Sequence, residues 1–337
     1  MQTERKNVMP LVESSSYQPP IYLRNGHLQT IYPSLFRRVN AVPCQRERID
    51  THDGDFLDLD WSRVGGRDLG IISHGLEGNS QRHYVIGMAR MLNRNGWDAL
   101  AWNYRSCSGQ INRRLRFYHN GAIDDLHAVV QHAQKSRAYR SVVLIGFSLG
   151  GNLTLVYLGD RGADISHGIA GAVVFSVPCD LAASAHELAR IKCRLYMRLF
   201  LSSLHQKIQA KMQIMPGRID DNDFHRIKNF KDYDDRYTAP LHGFKSAEDY
   251  WEKCSSLAFI PRVRVPALIV NALDDPFLAG DCYPRRAAAE SNHVFLETPV
   301  SGGHVGFIQF NHENVYWSET RVLYFIQSHL TASIRCL

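Results

Sequence analysis

The chain has 337 residues, is 45% hydrophobic and 21% charged, and carries a formal net charge of +6, the balance of a soluble globular protein with a sizeable core. No apolar run approaches the roughly 20 residues of a membrane-spanning helix, and the polar stretch Met1 to Pro20 does not read as a secretory signal. Seven cysteines without a C-x-x-C pair argue against a disulfide framework or a zinc site, and a reducing cytoplasm is the expected location.

Cys44 to Ile49 and Phe56 to Arg63 read as a hairpin around His52-Asp53-Gly54, with Leu57, Leu59 and Trp61 on one face. Leu69 to Ser73 is a short buried strand ending at His74-Gly75. Tyr84 to Asn95 has helical spacing, with Gly96 as its C-terminal cap. Ala99 to Tyr104 is the next strand, Ala122 to Ala133 a helix, and Val142 to Phe147 a strand. Further strands follow at Ile169 to Val177, Ala267 to Leu273 and Val294 to Glu297, and a closing helix runs from about Glu313 to His329. Strands alternating with helices predict an α/β fold, a mostly parallel sheet flanked by helices and entered through an antiparallel hairpin.

The gap between the strands at 169–177 and 267–273 is too long for a simple crossover. It holds a helix with Leu181, Ala185, Leu188, Leu195 and Leu199, then a second with Leu204, Ile208, Met212 and Met215, stopped by Pro216-Gly217. The expected organisation is an N-terminal extension over 1–43, a core over 44–178 and 266–337, and a helical cap insertion over 179–265. Function in such sheets sits beyond the carboxyl ends of the strands, where an insertion covers the site. Between Arg190 and Asp232, ten Lys and Arg stand against four Asp. Solubility accounts for that excess; peripheral contact with an anionic membrane, or an acidic substrate, is the sharper alternative. No motif supports nucleic-acid binding.

Gly146-Phe147-Ser148-Leu149-Gly150 follows a β-branched strand and opens into a helix-compatible stretch, the context of a nucleophile elbow. A serine hydroxyl needs a base, an orienting acid and a place for the developing oxyanion. The base candidate is His304, in Ser301-Gly302-Gly303-His304 just past the last expected strand. Asp274 and Asp275 both end an earlier strand, and only one can face His304. Related folds set the acid immediately before a proline, which selects Asp275 ahead of Pro276; Asp274 then stabilises the loop, and Asp180 is held in reserve. The oxyanion donors expected are the N–H of Leu149, at a helix N-terminus, and that of Leu76, in Ser73-His74-Gly75-Leu76-Glu77-Gly78. Nucleotide and metalloprotease signatures are absent, so neither a cofactor nor a metal is expected. Cys107 reads as a small buried residue rather than a thiol nucleophile.

These loops are joined by Asn25-Gly26-His27-Leu28-Gln29-Thr30-Ile31, by Asn103-Tyr104-Arg105-Ser106-Cys107-Ser108-Gly109, and by Tyr237-Thr238-Ala239-Pro240-Leu241-His242-Gly243-Phe244. Together they resemble the YheT-like branch of the α/β-hydrolase superfamily, from about Asn25 to the C-terminus. The resemblance implies an α/β-hydrolase fold and a triad of Ser148, Asp275 and His304. It further implies hydrolysis of carboxylic esters, short- to medium-chain acyl esters or lipids, through an acyl-enzyme on Ser148. An acyltransferase on the same triad, or a catalytically silent binding module, is the alternative. The family usually has glycine where this chain has Ser106. Eukaryotic relatives carry an N-terminal membrane anchor not seen here, so any membrane contact is expected to be peripheral.

Overall fold

The computed structural model of the chain describes residues 10–330. Its strands are β1 (Leu11–Val12), β2 (Gln45–Asp50), β3 (Phe56–Ser62), β4 (Asp68–Ser73), β5 (Asp98–Asn103), β6 (Ser141–Phe147), β7 (Ile169–Phe175), β8 (Ala267–Val270) and β9 (Val294–Glu297). Among the described residues they form one sheet in the order β1-β9-β8-β7-β6-β4-β5-β3-β2. The hairpin β2–β3 and the β3–β5 pair are antiparallel; every other neighbour is parallel. The central strands read as near-continuous apolar runs because helices cover both faces. On one face α3 (Ile123–Ser136) and α4 (Leu149–Arg161) pack Leu126, Val129, Leu153 and Tyr157 against Ile71, Leu144 and Val174. On the other, α2 (His83–Arg94) and α11 (Trp317–Phe325) pack Val85, Met88, Trp317 and Val322 against Ile72, Val143 and Phe175.

The segment before the hairpin belongs to the sheet and to the loops at its carboxyl edge. β1 pairs parallel with β9, a strand the sequence pattern did not signal. Helix α1 (Gly26–Phe36) is capped by Asn25, whose side chain accepts from the N–H groups of His27 and Leu28. Buried Gln29 ties α1 to both ends of the chain: its Nε2 donates to the Leu23 carbonyl (2.7 Å), and its Oε1 accepts from Tyr17 Oη (2.9 Å) and Ile308 N (3.2 Å).

Between β7 and β8 lie α5 (Leu181–Leu188), α6 (Arg194–Ile214), α7 (Phe230–Tyr233), α8 (Ala239–His242) and α9 (Ala247–Cys254). The helix expected to run from Leu181 through Leu199 is broken. α5 ends at Leu188, a short 3-10 turn spans Ile191–Cys193, and α6 continues unbroken past Leu204 to Ile214. The turn is pinned where the Cys193 thiol donates to the Pro276 carbonyl (3.2 Å). The buried face of α6 is Met197, Leu201, Leu204 and Ile208, and Leu195 and Leu199 point to solvent. The closing helix also starts later than expected, at Trp317. Ahead of it the Asn311 side chain bonds the Val315 backbone, and Asn314 takes a left-handed φ of 52°, which no helix accommodates. No helix among the described residues is long and apolar enough to cross a membrane. The short helix α10 (Arg285–Ala289), between β8 and β9, completes the cover beside β9.

Candidate active site

β6 ends at Phe147, α4 begins at Leu149, and Ser148 is the single residue between them. Its φ of 55° and ψ of −119° are strained for a residue with a side chain, and its N–H is held by the Phe175 carbonyl (2.8 Å). The sharp turn demands glycine at Gly150, where a Cβ would sit 2.3 Å from the Ser73 carbonyl oxygen and 2.6 Å from that of His74. The hydroxyl is thereby lifted off both elements and meets His304: Nε2 to Ser148 Oγ is 2.8 Å. On the other side of the ring, Nδ1 lies 2.9 Å from Asp275 Oδ2 and 3.1 Å from Oδ1. The Asp275 carboxylate is fully buried and also accepts the Phe277 N–H (2.9 Å), so its orientation is fixed.

The other two aspartates have different work. Asp274 accepts from Ser301 Oγ and from the Gly303 N–H, both at 2.8 Å, and so braces the loop that carries His304; burial raises its pKa. Asp180 caps α5 by accepting the Ala183 N–H (3.0 Å). Helix α1 braces the same loop, since Thr30 Oγ1 accepts the His304 N–H (2.9 Å). Gly26 lies so close to the Asp274 backbone that a Cβ would come within 1.9 Å of its carbonyl oxygen. Val305 holds a φ of 58°, rare for a β-branched residue, with its N–H on Ser176 Oγ (2.8 Å).

Leu76 and Leu149 line one cavity together with Ser148 and His304. Leu149 is the first residue of α4, where an N–H has no carbonyl a turn earlier and the helix dipole favours negative charge. The loop bearing Leu76 is held from below by His74, which burial pushes down to about 3 and keeps neutral. Its Nδ1 donates to the Gly75 carbonyl (2.8 Å), and its Nε2 accepts the Tyr104 N–H (3.3 Å). From above, Glu77 is clamped. Its carboxylate accepts from Lys207 Nζ (2.7 Å), Tyr118 Oη (2.6 Å) and the Ser203 hydroxyl, two of these three from α6. The Lys207 ammonium also lies 3.0 Å from Cys107 Sγ. Burial alone would lower Lys207, but the Cys107 and Glu77 contacts turn its shift upward; burial raises the Cys107 thiol. This clamp has no signal in the sequence, because Glu77 and Lys207 are 130 residues apart.

The cavity opens to solvent, and the empty space in and in front of it amounts to about 1040 Å³. Its walls are mostly apolar, with Leu181, Leu188, Phe200, Leu204, Phe230 and Trp251 from the segment between β7 and β8. Phe277 packs on the His304 ring at 4.2 Å between centroids. Asp234 is the buried acid of this wall. Burial pushes it up to about 7, although Thr238 Oγ1 (2.6 Å) and Trp251 Nε1 (2.8 Å) both donate to it.

The serine aminopeptidase S33 family of hydrolases matches residues 67–281, a stretch that holds Ser148 and Asp275 and stops short of His304. The YheT protein of Escherichia coli (strain K12) is 31% identical over 327 residues, 95% of this chain and 95% of its own length. The chain belongs to the YheT-like branch of the α/β-hydrolases. Phospholipase ABHD3 of Mus musculus is 26% identical over 88% of this chain and 74% of its own, and monoacylglycerol lipase ABHD2 of Bos taurus is 25% identical over 89% and 76%. Among solved structures, the Pyrococcus furiosus esterase Pf2001 superimposes with a TM-score of 0.57 at 18% identity, covering 86% of this chain and 92% of the esterase. The α/β-hydrolase GrgF from Penicillium sp. sh18 does so with a TM-score of 0.59 at 16% identity, covering 86% and 100%. These two likenesses are of fold.

The geometry explains the family motifs. The Asn25 to Ile31 segment is the brace behind the Asp274 and His304 loops. Arg105, fully buried, binds Asp125 (2.6 Å), Asp55 (2.9 Å) and Asp53 (2.9 Å), tying the hairpin to α3. Ser106 occupies a left-handed φ of 64° that glycine would adopt without strain. Its hydroxyl compensates by donating to Asn112 Oδ1 (2.6 Å) and accepting the Asn112 N–H (3.2 Å).

Proposed function

We propose that the protein is a serine carboxylic-ester hydrolase acting on short- to medium-chain acyl esters or lipids. His304 Nε2 takes the Ser148 proton as Oγ attacks the ester carbonyl, and Asp275 holds the ring in the tautomer with its proton on Nδ1. The N–H groups of Leu149 and Leu76 receive the oxyanion. The alcohol leaves with the proton from His304, and water, activated by the same imidazole, releases the acid from the acyl-enzyme. The helices between β7 and β8 act as a cap whose apolar underside takes the acyl chain.

The observation that carries this reading is the unbroken hydrogen-bonded line from Asp275 through His304 to Ser148, on the wall of an apolar cavity. The names of the relatives, phospholipase and monoacylglycerol lipase, agree with an ester substrate. The test is Ser148→Ala against p-nitrophenyl esters of increasing acyl length. Turnover is expected to fall by at least about 10,000-fold at every length. A folded variant that keeps wild-type turnover overturns the mechanism.

A further inference from the structure

Leu195 and Leu199 stand on the outside of α6. With Ile191 they make a stripe at i, i+4 and i+8, and the three are 91% (Ile191), 60% (Leu195) and 61% (Leu199) exposed. The helix needs no further apolar face for its core, because Met197, Leu201, Leu204 and Ile208 already supply one on the opposite side. Basic residues interleave with the stripe. Between positions 187 and 199 the chain has Arg190, Lys192, Arg194 and Arg198 against Glu187 alone. Glu187 engages Arg190 (3.1 Å) and Lys192 (2.5 Å), while the Arg194 and Arg198 side chains have no hydrogen bond or ion pair among the described residues.

We propose that this face of α6 and of the 3-10 turn before it, the Ile191/Leu195/Leu199 stripe with Arg194 and Arg198, docks on an anionic phospholipid bilayer. Apolar side chains enter the boundary between headgroups and acyl chains while guanidinium groups meet phosphates, the mode of basic amphipathic helices that lie in an interface. The position supports it. Directly behind the stripe, Tyr196 packs edge-on against Phe277 (4.8 Å), and Phe277 packs on His304. Tyr196 also stacks on His27 (5.7 Å), whose neighbour Leu28 is exposed. A bilayer on this face lies two aromatic layers from the candidate triad. A second copy of the chain fits less well, because a self-complementary interface centred on the stripe would set its unpaired arginines against their own copies.

The experiment is co-sedimentation of the full chain with vesicles of phosphatidylcholine alone or mixed with phosphatidylglycerol. Because it reads binding and not turnover, it stands apart from the ester-hydrolase reading. The expected result is binding to the anionic vesicles that weakens as salt is raised. Arg194→Ala/Arg198→Ala should lower partition by about 25-fold, from about fivefold per basic residue at an anionic surface. Leu195→Ser/Leu199→Ser should lower it at least about tenfold. Both variants should melt as the wild type does. Absence of binding to anionic vesicles, equal binding to both vesicle types, or wild-type binding by both variants overturns the proposal. So does a dimer in analytical ultracentrifugation that Leu195→Ser/Leu199→Ser dissociates.

Discussion

Replacing Lys207 by methionine keeps the unbranched apolar stem of the side chain and removes the ammonium from the Glu77 clamp. Glu77 is only 5% exposed at its side chain and Lys207 15%, so the pair is shielded from solvent. Removing one partner of a buried pair leaves an uncompensated charge, at a cost of about 3–5 kcal/mol. Tyr118 and Ser203 still donate to the carboxylate, which sets the expectation at the lower end, about 3 kcal/mol, read by urea denaturation. Glu77 holds a left-handed φ of 54° next to Leu76, so losing the clamp lets the candidate oxyanion amide drift. Loss of a whole oxyanion donor lowers kcat by about 100- to 1,000-fold, so a displaced one is expected to lower kcat about tenfold with KM little changed. The double variant Glu77→Gln/Lys207→Met replaces the ion pair by a neutral pair of similar volume and should recover most of the lost stability. Wild-type stability and kcat in Lys207→Met would refute the reasoning, as would a double variant no more stable than the single one.

Two further outcomes follow from the packing of the same region and the cap. In Gly150→Ala the new methyl meets the backbone carbonyls of Ser73 and His74, which cannot rotate away, so a loss of about 3 kcal/mol or more is expected in denaturant titration, with ester turnover abolished. Asp234, raised to about 7 from 3.8 by burial, binds a proton in the folded state that the unfolded chain releases. Its contribution to stability is full below about pH 4, is lost as pH rises through about 7, and by pH 8 the difference is on the order of 4 kcal/mol. Asp234→Asn should narrow the gap between denaturation midpoints at pH 5 and pH 8; an unchanged gap would show that Asp234 does not titrate in this window.

The sheet was legible because its strands are buried on both faces and leave apolar runs such as Val142 to Phe147 that little else imitates. Ser148, Asp275 and His304 could be named because each stands in a loop whose small or turn-forming residues are themselves distinctive, and all three do come within hydrogen-bonding distance. The α5–α6 break was not legible, since Leu195 and Leu199 carry the helical spacing of a core face while lying on an exposed one. The part of α1 was hidden for the opposite reason: Gln29 and Thr30 act through hydrogen bonds to loops nearly the whole chain away, and polar residues leave no periodic trace. The Glu77–Lys207 clamp depends on tertiary placement alone.

The brace that α1 provides has a consequence for the order in which the protein becomes competent during synthesis. The elbow can form once β4, β6 and β7 have emerged, about halfway along the chain. Thr30 and Gln29, made about 270 residues earlier, do not reach these partners until the segment from Gly303 to Ile308 leaves the ribosome. At synthesis rates of about 5–20 residues per second, the wait is on the order of tens of seconds. The nascent protein therefore carries the Ser148 elbow before His304 is braced beside it, and the candidate site is complete only when α1 meets that segment.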